Sequence, residues 1–205
     1  MEKNEPERFS LDRAIKDSNM SDIALIGERT FLYEKLFADL GGGFQFLSTA
    51  LLGSPFLPQF KAIIIPTGFA NPEYSKTLPA LQRMKSKISD FVQKGGVLTV
   101  FGPMMPEHDY DWLPLQLGYV CLLSSQSIAP GEHECSCLLC TSTPECDGYL
   151  IPGEGFETVL KDEKDRAILV RAKYGEGQIV ATSVHEFPAA QYLKWALSQA
   201  KPSKL

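Results

Sequence analysis

The 205-residue sequence contains no apolar run approaching the roughly 20 residues that span a bilayer, so no membrane-crossing helix is expected. It has no excess of basic charge: 20 Lys and Arg stand against 25 Asp and Glu, a formal net charge of −5. Nothing gathers those cations into a stripe, which argues against nucleic acid as a partner. Histidine is scarce, so any imidazole chemistry is confined to His108, His133 and His185. Paired Cys-x2-Cys knuckles are missing, as are internal repeats and low-complexity stretches. Residues 1–8 are polar and acidic and carry no signal-peptide core. The expected address is therefore the cytoplasm, where the five cysteines would be kept reduced.

What is present is an ordinary globular composition, 44 % hydrophobic and 22 % charged. The expected organisation is a polar arm over 1–20, one domain over 21–200 with a cysteine-rich insertion at about 128–150, and a tail over 201–205. Residues 22–27, 61–66 and 96–101 are continuous apolar runs, the pattern of strands buried on both faces. Helices are expected between them. One covers 31–40; the other carries Leu78, Leu81, Met84, Ile88, Phe91 and Val92 at three- and four-residue spacing. This alternation implies right-handed parallel crossovers. From about residue 119 the runs shorten, and the turn-rich segments 162–165 and 174–177 predict hairpins. A closing helix is expected over 188–200. The fold class is α/β: a flavodoxin-like three-layer sandwich with a mainly parallel central sheet and an antiparallel β-rich extension in the C-terminal half.

Four segments carry a likeness to a known family. They are the opening strand and helix, Ile65-Pro66-Thr67-Gly68 after a strand, the helix-Gly-Gly-strand unit ending in Phe101-Gly102-Pro103, and Tyr174-Gly175-Glu176-Gly177 leading to Ser183-Val184-His185-Glu186. In these the chain resembles the class I glutamine amidotransferase-like superfamily. It is similar in particular to its non-amidotransferase branches, such as trehalose-utilisation-like proteins and the trimerisation domain of some β-galactosidases. The resemblance implies a cysteine on the sharp turn after the central strand, a histidine that activates it and a carboxylate that orients the histidine. Here the turn reads Val100-Phe101-Gly102-Pro103-Met104, and the nucleophile position, at about Phe101 or Gly102, is empty. The Pro66-Thr67-Gly68 turn lies where the family can supply oxyanion amides, and His185 matches the histidine by its place after the last strand. The family carboxylate stands two residues beyond the histidine. Glu186 follows His185 directly, so on an extended chain the two point to opposite faces.

The resemblance thus implies a pseudoenzyme without glutaminase activity, binding a small molecule or a protein partner at the sheet's carboxyl edge, where open α/β sheets place their sites. The candidate ligand-binding residues are Glu28, Thr67, Gly68, Gly102, Pro103, His185 and Glu186, with Arg29 on the same edge. An alternative is a hydrolase of altered chemistry, with His185 as base and Glu28 as a second group. His185 equally suits a strand end bonded to backbone, and Glu28 a charge favoured at a helix N-terminus.

A separate cluster, His133, Cys135, Cys137, Cys140 and Cys146, has ligand types for zinc or an iron–sulfur centre. Its C-x-C-x2-C-x5-C spacing also suits small buried hydrophobes in a β-rich segment, with Cys135 and Cys137 on one strand face. Asp109 or Asp111 is expected to cap the segment holding Trp112 and Leu115. Apolar surface near Trp112 or Trp195 is the candidate face for a homo-oligomer.

Overall fold

Apolar runs of the N-terminal half become β1 (Ile23–Ile26), β2 (Phe44–Leu47), β3 (Gln59–Phe60) and β4 (Ala62–Ile65) in the computed structural model of the chain. Helices α1 (Thr77–Arg83) and α2 (Lys85–Gln93) then lead into β5 (Val97–Val100). Next come β6 (Glu107–Asp109), β7 (Leu117–Ser125), a 3-10 turn at Glu134–Leu138 and β8 (Glu145–Pro152). The chain closes with β9 (Phe156–Lys161), β10 (Ala167–Tyr174), β11 (Gly177–Thr182), α3 (Ala190–Gln199) and β12 (Ser203–Lys204). The structure describes residues 22–27, 35, 43–125, 128, 131–139, 143–185 and 188–205. The expected arm at 1–20, the helix at 31–40, and the candidates Glu28, Arg29, Cys140 and Glu186 lie outside the described residues.

One mixed sheet runs in the order β2-β1-β4-β5-β11-β10-β8-β7-β6, with β9 paired to β10. The pairs from β2 to β11 are parallel, and every pair from β11 onward is antiparallel. The fold is thus mixed α/β, with the antiparallel strands in the C-terminal half. Successive residues of the parallel strands face opposite sides. Ala24, Ile26, Ile63, Ile65, Leu98 and Val100 pack with Leu81, Ile88, Phe91 and Val92 of α1 and α2. Ile23, Leu25, Ile64 and Val97 pack instead with Tyr192, Leu193 and Ala196 of α3. Burial on both faces is why these strands read as unbroken apolar runs. Tyr192 further ties α3 to β5 through a 2.6 Å hydrogen bond between its hydroxyl and that of Thr99.

Several local expectations change. The single helix over 78–92 is two, because the Met84 amide donates to both the Ala80 and Leu81 carbonyls and tightens the turn there. No helix follows Asp111: its carboxylate accepts instead from the Gln82 side-chain amide, and Trp112 is fully buried, so it offers no surface for self-association. The polar tail is tied down, since Ser203 and Lys204 pair with Phe60 and Gln59 and Leu205 is buried. Both hairpins form where the turn residues predicted. Gly175, at φ 60, takes the first position of a two-residue loop, where the primed turns need a left-handed residue. No helix among the described residues is long and apolar enough to cross a membrane.

Candidate functional site

The parallel strands deliver four turns to one edge of the sheet: Gly27 after β1, Pro66-Thr67-Gly68 after β4, Phe101-Gly102-Pro103-Met104 after β5 and Ser183-Val184-His185 after β11. The start of β8 closes this edge. Its Asp147 amide donates to the Ser183 carbonyl at 2.8 Å, and the His185 amide donates to the Glu145 carbonyl at 2.8 Å. Residues 145–147 therefore run antiparallel to 183–185, with Cys146 bridged to Val184.

That pairing sets the Asp147 carboxylate against the His185 ring, Oδ1 to Nδ1 at 2.7 Å. The Asp147 side chain is 2 % exposed and that of His185 45 %. Asp147 is held from behind as well, because the buried Tyr119 hydroxyl donates to its backbone carbonyl at 2.8 Å. Burial pushes the Asp147 carboxyl up from its ordinary range, and the neighbouring His185 only partly offsets that. Its second oxygen, Oδ2, is buried with no partner among the described residues. When Asp147 is ionised, Nδ1 carries the ring proton and Nε2 presents a lone pair with no protein partner among the described residues. Such a ring can accept a hydrogen bond or a proton from a ligand.

The same edge is poorly equipped for acyl transfer. The strained residue of the turn after β5 is Met104, at φ 53, and not Phe101 or Gly102. Nucleophile elbows store their strain at the nucleophile, and a thioether cannot serve as one. A side chain at Gly102 is also obstructed, since its Cβ would lie 3.0 Å from Asp147 Oδ2. The Gly68 amide, an expected oxyanion donor, donates instead to the Gly102 carbonyl at 2.8 Å. Thr67, Gly68, Gly102, Pro103 and His185 thus come to one edge. The carboxylate beside the histidine is Asp147, forty residues upstream of the expected position.

The cysteine cluster does not assemble a ligand set among the described residues, where no group of three or more His, Cys, Asp or Glu is placed to hold a metal. Cys135 and Cys137 lie on the 3-10 turn, not on one strand face, and Cys146 lies on β8. His133 is already engaged: Nδ1 accepts from the Cys135 amide at 3.0 Å, and Nε2 faces the Arg171 guanidinium, itself 3.0 Å from Glu157. A guanidinium stands where His133 would have to meet a cation. The turn packs onto α3, with the Trp195 indole donating to Glu134 at 3.1 Å. Burial pushes the Cys135 thiol up to about 12, so at pH 8 only roughly 10⁻⁴ of it is the reactive thiolate. Native protein treated with iodoacetamide at pH 8 is expected to leave Cys135 unmodified, and urea-unfolded protein to alkylate it. Peptide mass spectrometry reads the difference, and rapid native labelling would mean that the 3-10 turn opens readily.

Sequence reasoning missed Asp147, which lay inside the segment read as cysteine-rich. One signal was available. Asp147 stands in Cys146-Asp147-Gly148-Tyr149-Leu150-Ile151, a β-like run in which a carboxylate is out of place unless paired.

No family model matches the chain, and no curated protein matches it. Solved structures do. A GMP synthase component from Thermoplasma acidophilum is 10 % identical with a TM-score of 0.57, over 88 % of this chain and 94 % of that one. A cytoplasmic protein from Salmonella typhimurium is 12 % identical with a TM-score of 0.53, over 89 % and 100 %. A β-galactosidase from Bacillus circulans sp. alkalophilus is 14 % identical with a TM-score of 0.51, over 87 % of this chain but only 30 % of the enzyme. At these identities the likeness is one of fold, and the fold is glutamine amidotransferase-like.

Proposed function

We propose that this chain is a non-catalytic amidotransferase-like domain that binds a small molecule at the carboxyl edge of its sheet, with His185 contacting the ligand. The observation that carries the reading is the 2.7 Å bond from the half-exposed His185 ring to the buried Asp147 carboxylate. A buried carboxylate that fixes an exposed imidazole orients it towards whatever occupies the edge. Met104 at the turn after β5 and the engaged Gly68 amide support the absence of glutaminase chemistry. The parallel strand order β2-β1-β4-β5-β11 matches the flavodoxin-like order, and helices packed on both sheet faces support a three-layer sandwich. The likeness to a β-galactosidase segment supports a non-amidotransferase branch.

The test has two parts. In an NMR screen of small metabolites, at least one binder is expected to shift the His185 ring resonances, and purified protein is expected to release no ammonia from glutamine. Glutamine turnover that disappears in His185→Ala would overturn the reading. The bond to Asp147 also favours a second reading, a hydrolase with His185 as base. Turnover of a chromogenic ester lost in His185→Ala would decide for it.

Asp147→Asn adds a pH signature. The folded Asp147 pKa is raised, so its contribution to stability is full below the unfolded value of about 3.9 and is lost as pH rises through the folded value. The neutral carboxamide of the variant has no charge to desolvate. Urea titrations at pH 4 and pH 7 are therefore expected to show the variant gaining on wild type at the higher pH. A gap that moves the other way would mean that the ion pair with His185 outweighs burial.

A further inference from the structure

The order β2-β1-β4 contains a reversal: the chain leaves β1 for one neighbour, and its later strands return to the other side. At such a point the connections depart in opposite directions and leave a crevice at the carboxyl ends of the two central strands. Here that crevice is open. A cleft of about 120 Å³ lies between the ends of β1 and β4, lined by Gly27, Thr67, Gly68, Tyr74, Ser75 and Thr77 among others. It shares Gly68 with the edge that holds His185, but neither His185 nor Asp147 lines it.

The polar groups of the cleft are hydroxyls. Thr77 is fully buried, and its Oγ1 accepts from the Ser75 hydroxyl at 2.6 Å. The Ser75 oxygen accepts in turn from the Thr77 amide at 3.1 Å. The Thr77 hydroxyl proton is left without an acceptor among the described residues, and the partly exposed Thr67 hydroxyl has no partner there at all. A hydroxyl that already accepts one hydrogen bond donates the next more strongly. Gly27 keeps the place open: a Cβ there would stand 3.7 Å from both Pro66 Cδ and Thr77 Oγ1, and its φ of 150 suits glycine. Tyr74, 61 % exposed, supplies an aromatic wall at the mouth. No charged side chain among the described residues lines the cleft.

We infer that this cleft seats a small uncharged group bearing a hydroxyl or carbonyl oxygen, the end group of the ligand proposed above, on which reading the inference rests. Two hydroxyls without a counter-charge suit a neutral oxygen, whereas seating an ion beside them would cost desolvation with no compensating partner. The volume is below the roughly 300 Å³ at which pockets enclose whole drug-sized ligands, so it takes an end group and not a nucleotide.

The experiment is an amide-resolved NMR titration of the full chain with glycerol and acetamide as neutral probes and acetate and inorganic phosphate as anions. Glycerol or acetamide is expected to shift the amides of Gly27, Thr67 and Gly68 in the millimolar range, with acetate and phosphate binding at least about ten-fold more weakly. Thr77→Val keeps the volume and removes the hydroxyl, and is expected to weaken the neutral probe about ten-fold, the effect of one lost hydrogen bond. Thr67→Ala changes a partly exposed hydroxyl without endangering the fold, and is expected to weaken it several-fold. Tighter binding of the anions, or neutral-probe binding unchanged in both variants, would overturn the inference. Shifts confined to His185 would overturn it while leaving the proposed function standing. No shift at either place, with no binder in the wider metabolite screen, would remove both.

Discussion

Gly148→Ala is expected to lower stability by about 3 kcal/mol, the upper part of the usual range for overpacking. For a chain of this size that is a fall in Tm of roughly 6–12 °C. Gly148 lies in β8 directly opposite Cys121 of β7. A Cβ there would meet the Val120 carbonyl oxygen at 2.0 Å and the Tyr119 ring at 2.9 Å. Neither is the free end of a flexible side chain: the first is backbone, and the second is a ring buried in the core with its hydroxyl bonded to Asp147. Relief requires β7 and β8 to separate, which moves the carboxylate that holds His185. The variant should therefore lose any small-molecule effect on His185 as well as stability. Circular dichroism melts with the His185 ring resonances check both. A Tm change within about 2 °C would mean that the strand pair yields more easily than its burial implies.

Asp162→Ala is expected to cost about 2 kcal/mol at pH 7. Asp162 opens the β9–β10 hairpin. Its Oδ1 accepts from the Lys164 and Arg166 amides, each at 2.9 Å, and its Oδ2 from Arg166 Nε at 2.7 Å. The Asp162 side chain is fully buried while that of Arg166 is partly open to water, which holds the expected cost below that of a fully enclosed pair. Burial alone would push this carboxyl up. The Arg166 guanidinium and the two amides outweigh it and hold the carboxyl below its ordinary range. A lowered folded pKa contributes stability above the unfolded value, about 3.9, that is lost as pH falls through the folded one. The gap between wild type and variant should be full at pH 7 and narrow below about pH 4, the reverse of the trend at Asp147. Urea titrations across pH 3–7 read it, and a gap independent of pH would assign the loss to turn geometry instead of charge.

The two carboxylates show where sequence reading succeeds and where it stops. Asp162 stands in a turn whose partners lie within four residues, so the hairpin was visible in Asp162-Glu163-Lys164-Asp165. The partner of Asp147 is thirty-eight residues away. Nothing local distinguishes the bond it makes from the one expected of Glu186, whose adjacency to His185 drew attention to the wrong acid. The cysteine cluster fails for the same reason: five candidate ligands within fourteen residues are close in sequence, but a 3-10 turn and a strand take its described members to different surroundings.

By itself the sequence determined the strands buried on both faces, the parallel crossovers, the two hairpins and the missing nucleophile, because each is written in apolar periodicity, turn residues or the identity of one side chain. Only the tertiary structure decided that β8 folds back along residues 183–185, that Asp147 holds His185, that the Gly68 amide is engaged and that the crevice between β1 and β4 stays open. Those features depend on which distant strands become neighbours, and strand pairing is set by the summed burial of whole faces, to which no single residue is a guide.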